Sequence, residues 1–280
     1  MMEVILSRSR NIYFHVLSVF AVTGCFLVNI CASAAAESCN DLIEEYQNSD
    51  LAKSRELAEK NKLKPVSRLI FCLSQVHDLK DRNLDSGLTG LKKLYDDKGV
   101  PAQIRQEAGL SYARIIQLLK LRNYDKTYND VDTREIFLDI MKSFPGTLYA
   151  CMACIYQAED FFNSEDPARK EKGFELIESF LKTYKGDSVN TVPLHLYADK
   201  FYISIDRNYG KSFEHLKTAY EIGITNDVIR REALFRLGRI CDVKLNDKIH
   251  ALFYYRKFTD LYPDAALTPI AWESLRKIEK

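Results

Sequence analysis

Apolar residues recur at helical spacing almost without interruption from Ser38 to the C-terminus, and no run alternates at period two for long enough to make a sheet. Short helices are predicted over Asp41–Gln47 and Leu51–Lys60, joined by the capping run Asn48-Ser49-Asp50. Pro65 suits the first turn of a helix whose apolar face is Leu69, Ile70, Leu73 and Val76. Asp85-Ser86 is placed to cap a helix carrying Leu88, Leu91 and Leu94, and Pro101 opens a long helix through Ile104, Ala108, Tyr112, Ile116 and Leu119. The polar interval Arg122–Asp132 is too long for a simple hairpin turn. Thr133 restarts the helical pattern, and Leu267–Lys280 reads as a last helix with a polar end. The pattern predicts an all-α fold.

One stretch organises the rest. Ala233–Pro263 reads as two amphipathic helices back to back, the first with Leu234, Leu237, Gly238 and Cys241, the second with Ala251, Tyr255, Phe258 and the stop Tyr262-Pro263. Weaker copies lie upstream at intervals of roughly 40 residues. Tyr197-Ala198, Phe201, Ser212, Leu216 and Ala219 form one; Met152-Ala153, Tyr156, Gly173, Ile177 and Phe180 form another. Tyr112-Ala113, Ile116, Phe137, Ile140 and Phe144-Pro145 make a third, and Gly87, Leu91 and Leu94 a fourth that pairs with a helix around Arg68–Leu79. These residues resemble the tetratricopeptide repeat, with Cys241 in an aromatic's place and Phe258 large for its position. The ending LYPDAALTPIAWESLRK is loosely similar to exported members of that family, the outer-membrane assembly lipoproteins with such repeats. The resemblance implies an α-solenoid of about five helical hairpins in a right-handed superhelix, closed by a C-terminal capping helix, over residues 37–280.

Residues 1–36 read as a targeting segment. Arg8 and Arg10 form a positive start, Ile12–Ile30 is mostly apolar, and Ala32-Ser33-Ala34 and Ala34-Ala35-Ala36 are small-x-small cleavage sites. Two alternatives stay open: a lipobox at Val22–Cys25 that would lipidate Cys25, and an uncleaved anchor, since the apolar run is long enough to span a bilayer. With such a segment, the periplasm or cell envelope of a bacterium is the expected location. Membrane contact is expected only through residues 1–36. The chain carries a formal charge of +1, which leaves with Arg8, Arg10 and Glu3. A near-neutral mature chain has no basic excess for a phosphate backbone, so nucleic acid is not an expected partner.

The chemistry-bearing motifs are few. Cys39, Cys72, Cys151, Cys154 and Cys241 survive cleavage, and an odd set cannot all pair within one chain. Cys151-Met152-Ala153-Cys154 has redox-dithiol spacing but lies inside a helical pattern with no βαβ surroundings. One such pair lacks the further ligands that zinc needs, and His77, His195, His215 and His250 are scattered. No phosphate, dinucleotide, hydrolase or zinc-protease fingerprint occurs, and no cofactor is expected. The leading reading is a non-enzymatic scaffold that takes a peptide or partner protein in a concave groove. A thiol-dependent enzyme or accessory using Cys151 and Cys154, and a lipid-anchored assembly subunit, are the alternatives. In the resembled family the first helix of each hairpin lines the groove. Its offsets from Leu237-Gly238 pick out Glu232, Phe235, Arg239 and Asp242; in the preceding copy they pick out His195, Asp199 and Tyr202, and before that Ala150, Cys154 and Gln157. Phe235 and Tyr202 rank first, as exposed aromatics make interface anchors.

The mature chain is expected to begin between Ala35 and Glu37, without Cys25. Intact mass of the exported protein checks this, and a diacylated chain starting at Cys25 refutes it.

Overall fold

The computed structural model describes residues 46, 48, 50–61, 64–78, 83–122, 126–184 and 188–280. Twelve α-helices account for most of these, nearly all of them packed on neighbours in sequence, with no strand among the described residues. They fall into two compact units, one ending at Ile136 and one starting at Phe137. The cleavage sites, Cys25, Cys39 and most of the helix expected over 41–47 lie outside the described residues. No helix among the described residues is long and apolar enough to cross a membrane.

The first unit is built from α1 (Leu51–Lys60), α2 (Pro65–His77), α3 (Leu84–Asp96) and α4 (Ala102–Leu121). Asp50 caps α1 by accepting from the Lys53 backbone N–H at 3.1 Å. Arg55 ties α1 to the end of α2 through Asp78 at 2.7 Å. The cap of α3 is Asn83, not Asp85-Ser86; Asp85 instead sits in the first turn, where its charge complements the helix dipole. Leu69, Ile70 and Leu73 of α2 are fully buried, as are Leu88, Leu91 and Leu94 of α3. The two helices touch at glycines. A Cβ on Gly87 would stand 2.5 Å from Val76 Cγ2 and 2.9 Å from the Cys72 carbonyl, and one on Gly90 would collide with Cys72 Sγ. Gly87, Leu88 and Gly90 are therefore a packing surface, with Thr89 exposed beside it. After α4 the polar interval makes one tight turn over Lys126–Tyr128, pinned by Tyr128 to Asp85 and by Lys120 to the Val131 carbonyl.

The boundary between the units falls inside α5 (Thr133–Ser143). The second unit continues through α6 (Leu148–Phe162), α7 (Pro167–Thr183), α8 (Val192–Phe201), α9 (Tyr209–Ile222), α10 (Asp227–Ile240), α11 (Lys248–Leu261) and α12 (Thr268–Ile278). α6 pairs with α7, α8 with α9, and α10 with α11; α12 covers α11. Two of these hairpins repeat in detail. α8 and α10 each end in a widened turn, Tyr202–Asp206 and Cys241–Leu245. Each turn closes on a left-handed residue, Arg207 and Asn246, both at φ 54° and 39 positions apart (207 to 246). The next residue is the N-cap of the second helix: Asn208 accepts from Lys211 N–H and Asp247 from His250 N–H, each at 3.1 Å. The same spacing aligns Ser212 with Ala251, Leu216 with Tyr255 and Ala219 with Phe258, all buried. In the first helix it aligns Ala198 with Leu237 and Asp199 with Gly238. The upstream copy thus begins one residue later than its sequence pattern suggests.

One buried group in the first unit sets a pH dependence. Glu107 is 1% exposed, accepts a hydrogen bond from Ser111 Oγ at 2.9 Å, and has no partner on its other oxygen. Burial, opposed by the Ser111 bond, raises its pKa from 4.5 to about 7. The folded chain therefore holds a proton that the unfolded chain releases between these values, so stability falls as pH rises through that window. The expected loss approaches ~3 kcal/mol, since one pKa unit is worth about 1.4 kcal/mol. Glu107→Gln should flatten this slope in urea denaturation series between pH 4.5 and 7. An unchanged slope would show that Glu107 is not its source.

Candidate functional site

The sequence-predicted contact residues converge on α8, α10 and their hairpin turns, but most of them point inward. His195 and Tyr202 are each 6% exposed, Asp199 0% and Phe235 5%. The expectation that these four face an open groove is corrected on that point. For the three upstream residues the cause is register. One residue along an α-helix turns a side chain by about 100°, so offsets counted from Tyr197-Ala198 instead of Ala198-Asp199 select the packed side. Phe235 is buried for another reason: its ring packs on Tyr255 and Phe258 of α11, with centroids 5.8 and 5.4 Å away. Glu232 and Arg239 are exposed as expected. Asp242 is half-buried and takes Lys248 Nζ at 2.6 Å. Ala150, Cys154 and Gln157 are all buried in α6.

What the inward residues build is a polar cluster across four helices. Asp199 occupies the place that Gly238 fills in the next hairpin, facing Ser212, which stands where that hairpin has Ala251. Ser212 Oγ donates to Asp199 Oδ1 at 2.7 Å. Arg236, from α10, brings Nη2 to 2.9 and 2.8 Å of the two carboxylate oxygens. Burial nevertheless outweighs these partners and raises the Asp199 pKa, with the Arg236 charge and the Ser212 bond opposing it.

Two histidines that look scattered in the sequence meet beside it. His195 Nδ1 lies 3.0 Å from His215 Nδ1, and His215 Nε2 lies 3.2 Å from Glu178 Oε1 on α7. Both contacts are satisfied when His195 donates to His215 and His215 donates on to Glu178. Tyr202 donates to the same Glu178 oxygen at 2.7 Å. Its ring stacks between Phe174, at 4.4 Å, and His215, at 5.4 Å. The hydrogen bond from His215 is the largest of the influences that bring Glu178 down to about 2; burial opposes it, and the Tyr202 bond and the Lys211 charge assist. Burial and the Glu178 carboxylate together push the Tyr202 phenol up. The 39-residue spacing puts His195 and His215 at the places of Leu234 and Tyr254, so the correct register would have marked both as core.

The cysteine pair offers no reactive thiol. Cys151 and Cys154 are at most 1% exposed and unpaired by disulfide. Burial pushes Cys151 up to about 12 and Cys154 well above its ordinary range. A thiolate nucleophile needs the opposite surroundings. Cys72 and Cys241 are also free and buried, with pKa values raised by burial to about 11 and about 12. Among the described residues no three His, Cys, Asp or Glu side chains converge to hold a metal ion.

The sequence reading missed two exposed or bridging cations. Lys200 matches Arg239 at the 39-residue spacing, and both are exposed. Arg236 joins the hairpins through Asp199. The repeated cap residues Asn208 and Asp247 were the sequence signal that would have located both. Neither a family model nor a curated protein matches the chain.

Arg236→Leu should leave Asp199 buried with Ser212 as its remaining donor in this pair. The expected cost is about 2–4 kcal/mol, discounted from a fully buried pair because the Arg236 side chain is 35% exposed. Adding Asp199→Gly and Ser212→Ala rebuilds the Gly238–Ala251 arrangement and should recover most of that stability. Urea midpoints of the single and triple variants check this; a triple variant as unstable as the single one refutes it.

Proposed function

We propose that the chain is an exported, tetratricopeptide-like scaffold that binds an extended peptide or partner protein along the outer face of α8 and α10, without chemistry of its own. The observation that supports this is the repetition of two hairpins position by position: the same widened turn, left-handed residue, N-cap and core places return after 39 residues (207 to 246). Repeated hairpins present matched side chains at regular intervals, which suits a partner lying across them. Lys200 and Arg239 are the matched pair here, both exposed, with Glu232 exposed beside Arg239's helix face and Tyr197 half-buried beneath Lys200, whose Nζ lies 5.7 Å from the ring centre. Two cations one repeat apart favour carboxylates on the partner. The targeting segment adds the bacterial periplasm or envelope as the place of action. Phe235 and Tyr202 leave the list of anchors because they hold the hairpins together; Arg239 and Glu232 stay, and Lys200 joins them.

A photo-crosslinking residue at Arg239, installed in cells, should capture a discrete partner, whereas the same residue at Glu273 on α12 should not. Lys200→Ala with Arg239→Ala should weaken the isolated partner's binding about tenfold or more, at roughly 1 kcal/mol per anchoring cation, and leave the urea midpoint within about 0.5 kcal/mol of wild type. Phe235→Ala, by contrast, should cost about 3–5 kcal/mol of stability by opening a cavity. Full-strength partner binding by the folded double variant would overturn the assignment of this face.

A further inference from the structure

The first unit holds a cavity of about 520 Å³ between α1, α2 and α3, a size that suits a small ligand. Phe71, Cys72 and Leu94 give it an apolar wall. The polar lining groups of α2 and α3 divide between its two ends. Gly87 meets Gln75 and Val76 while Gly90 meets Cys72, so the two helices run in opposite directions. Arg68 and Lys93 therefore fall at one end, and Gln75 and Asp85 at the other. On α2 the ends are seven residues apart (68 to 75), or about 10 Å along the axis. Neither end is satisfied within the fold. Arg68 is half-buried and has no carboxylate partner among the described residues. Its charge reaches the Cys72 thiol, where it opposes the burial that raises that pKa. Gln75 Oε1 is buried with no hydrogen-bond partner, and Asp85 accepts from Tyr128 on one oxygen only. Glu59, exposed near the end of α1 that leads into α2, offsets one of the two cations at the Arg68 end. The cavity thus carries two cations against two carboxylates, yet its ends differ in sign.

We infer that this cavity takes a short free peptide of about three residues, recognised at both of its termini. The peptide carboxylate lies with Arg68 and Lys93, and supplies the acceptor that the half-buried guanidinium lacks. The ammonium end lies with Asp85 and donates to the Gln75 carboxamide. An extended residue spans about 3.3 Å, so three of them match the separation of the ends. The apolar wall takes the middle side chain. A simple anion would leave Gln75 and Asp85 unmatched, and a simple cation would leave Arg68 so. A zwitterion of this length answers both ends of a cavity whose charges cancel overall. The inference is independent of the groove on α8 and α10, because it rests on residues of the first unit alone.

Calorimetric titration of the full chain with the tripeptide alanyl-leucyl-alanine tests this. The free peptide should bind, and its C-terminal amide and its N-acetyl form should each bind about tenfold more weakly, as each loses a charge-assisted contact. Arg68→Gln should weaken the free peptide by a similar factor and make binding indifferent to amidation. Asp85→Asn, which can still accept from Tyr128, should make it indifferent to N-acetylation. Both variants should keep the wild-type far-UV circular dichroism, which shows that lost binding is not lost fold. No binding of the free peptide at millimolar concentration would overturn the inference. So would equal binding of the amide, undiminished binding by the folded Arg68→Gln variant, or binding of acetate as tight as that of the peptide, which would reduce the cavity to an anion site.

Discussion

The second unit depends on how closely the two helices of a hairpin can approach. In α10–α11 the approach is made by Gly238, where a Cβ would stand 2.8 Å from the Tyr255 ring. In α8–α9 the same place holds Asp199, a side chain that cannot be tolerated there as a bare charge. The structure accommodates it by matching a hydroxyl, Ser212, across the hairpin and a guanidinium, Arg236, from the next one. A packing point has become a polar joint between successive hairpins. Its geometry is strict, because the carboxylate is fully buried and the partners only partly offset its desolvation.

That joint accounts for the inward direction of the residues around it. His195, His215 and Tyr202 lie beside it and converge on Glu178, whose half-exposed carboxylate is kept ionised to about pH 2. Glu178 therefore favours the folded state above the ordinary carboxylate range and ceases to do so in acid. Glu107 in the first unit acts in the opposite sense at higher pH, since its proton is retained by folding. The exposed positions of α8 and α10 consequently include the long cations Lys200 and Arg239, while the rings of Phe235 and Tyr202 are buried and serve cohesion.

The second helices carry a different division of labour. Tyr254, Tyr255 and Phe258 of α11 are buried, while Ile249 and Phe253 of the same helix face outward, Phe253 beneath Lys257. One helix thus has a face in the hairpin core and a face toward solvent.

The sequence by itself determined the helices, many of their starts and the core of the last hairpin. Local chemistry decides those features: Asp50, Pro65, Asp166, Asn208 and Asp247 occupy helix starts, and Ala251, Tyr255 and Phe258 fall on one buried face. Tertiary structure decided which side of α8 faces out. The widened turn before Arg207 fixes the copy at 39 residues (207 to 246) and not at the round period of the pattern. A one-residue difference is small in sequence but about 100° around a helix, enough to bury His195, Asp199 and Tyr202 and bring out Lys200. The His195–His215 contact and the Arg236 joint were beyond local pattern for the same reason: their partners lie 20 and 37 residues away, and only packing brings them within hydrogen-bond reach.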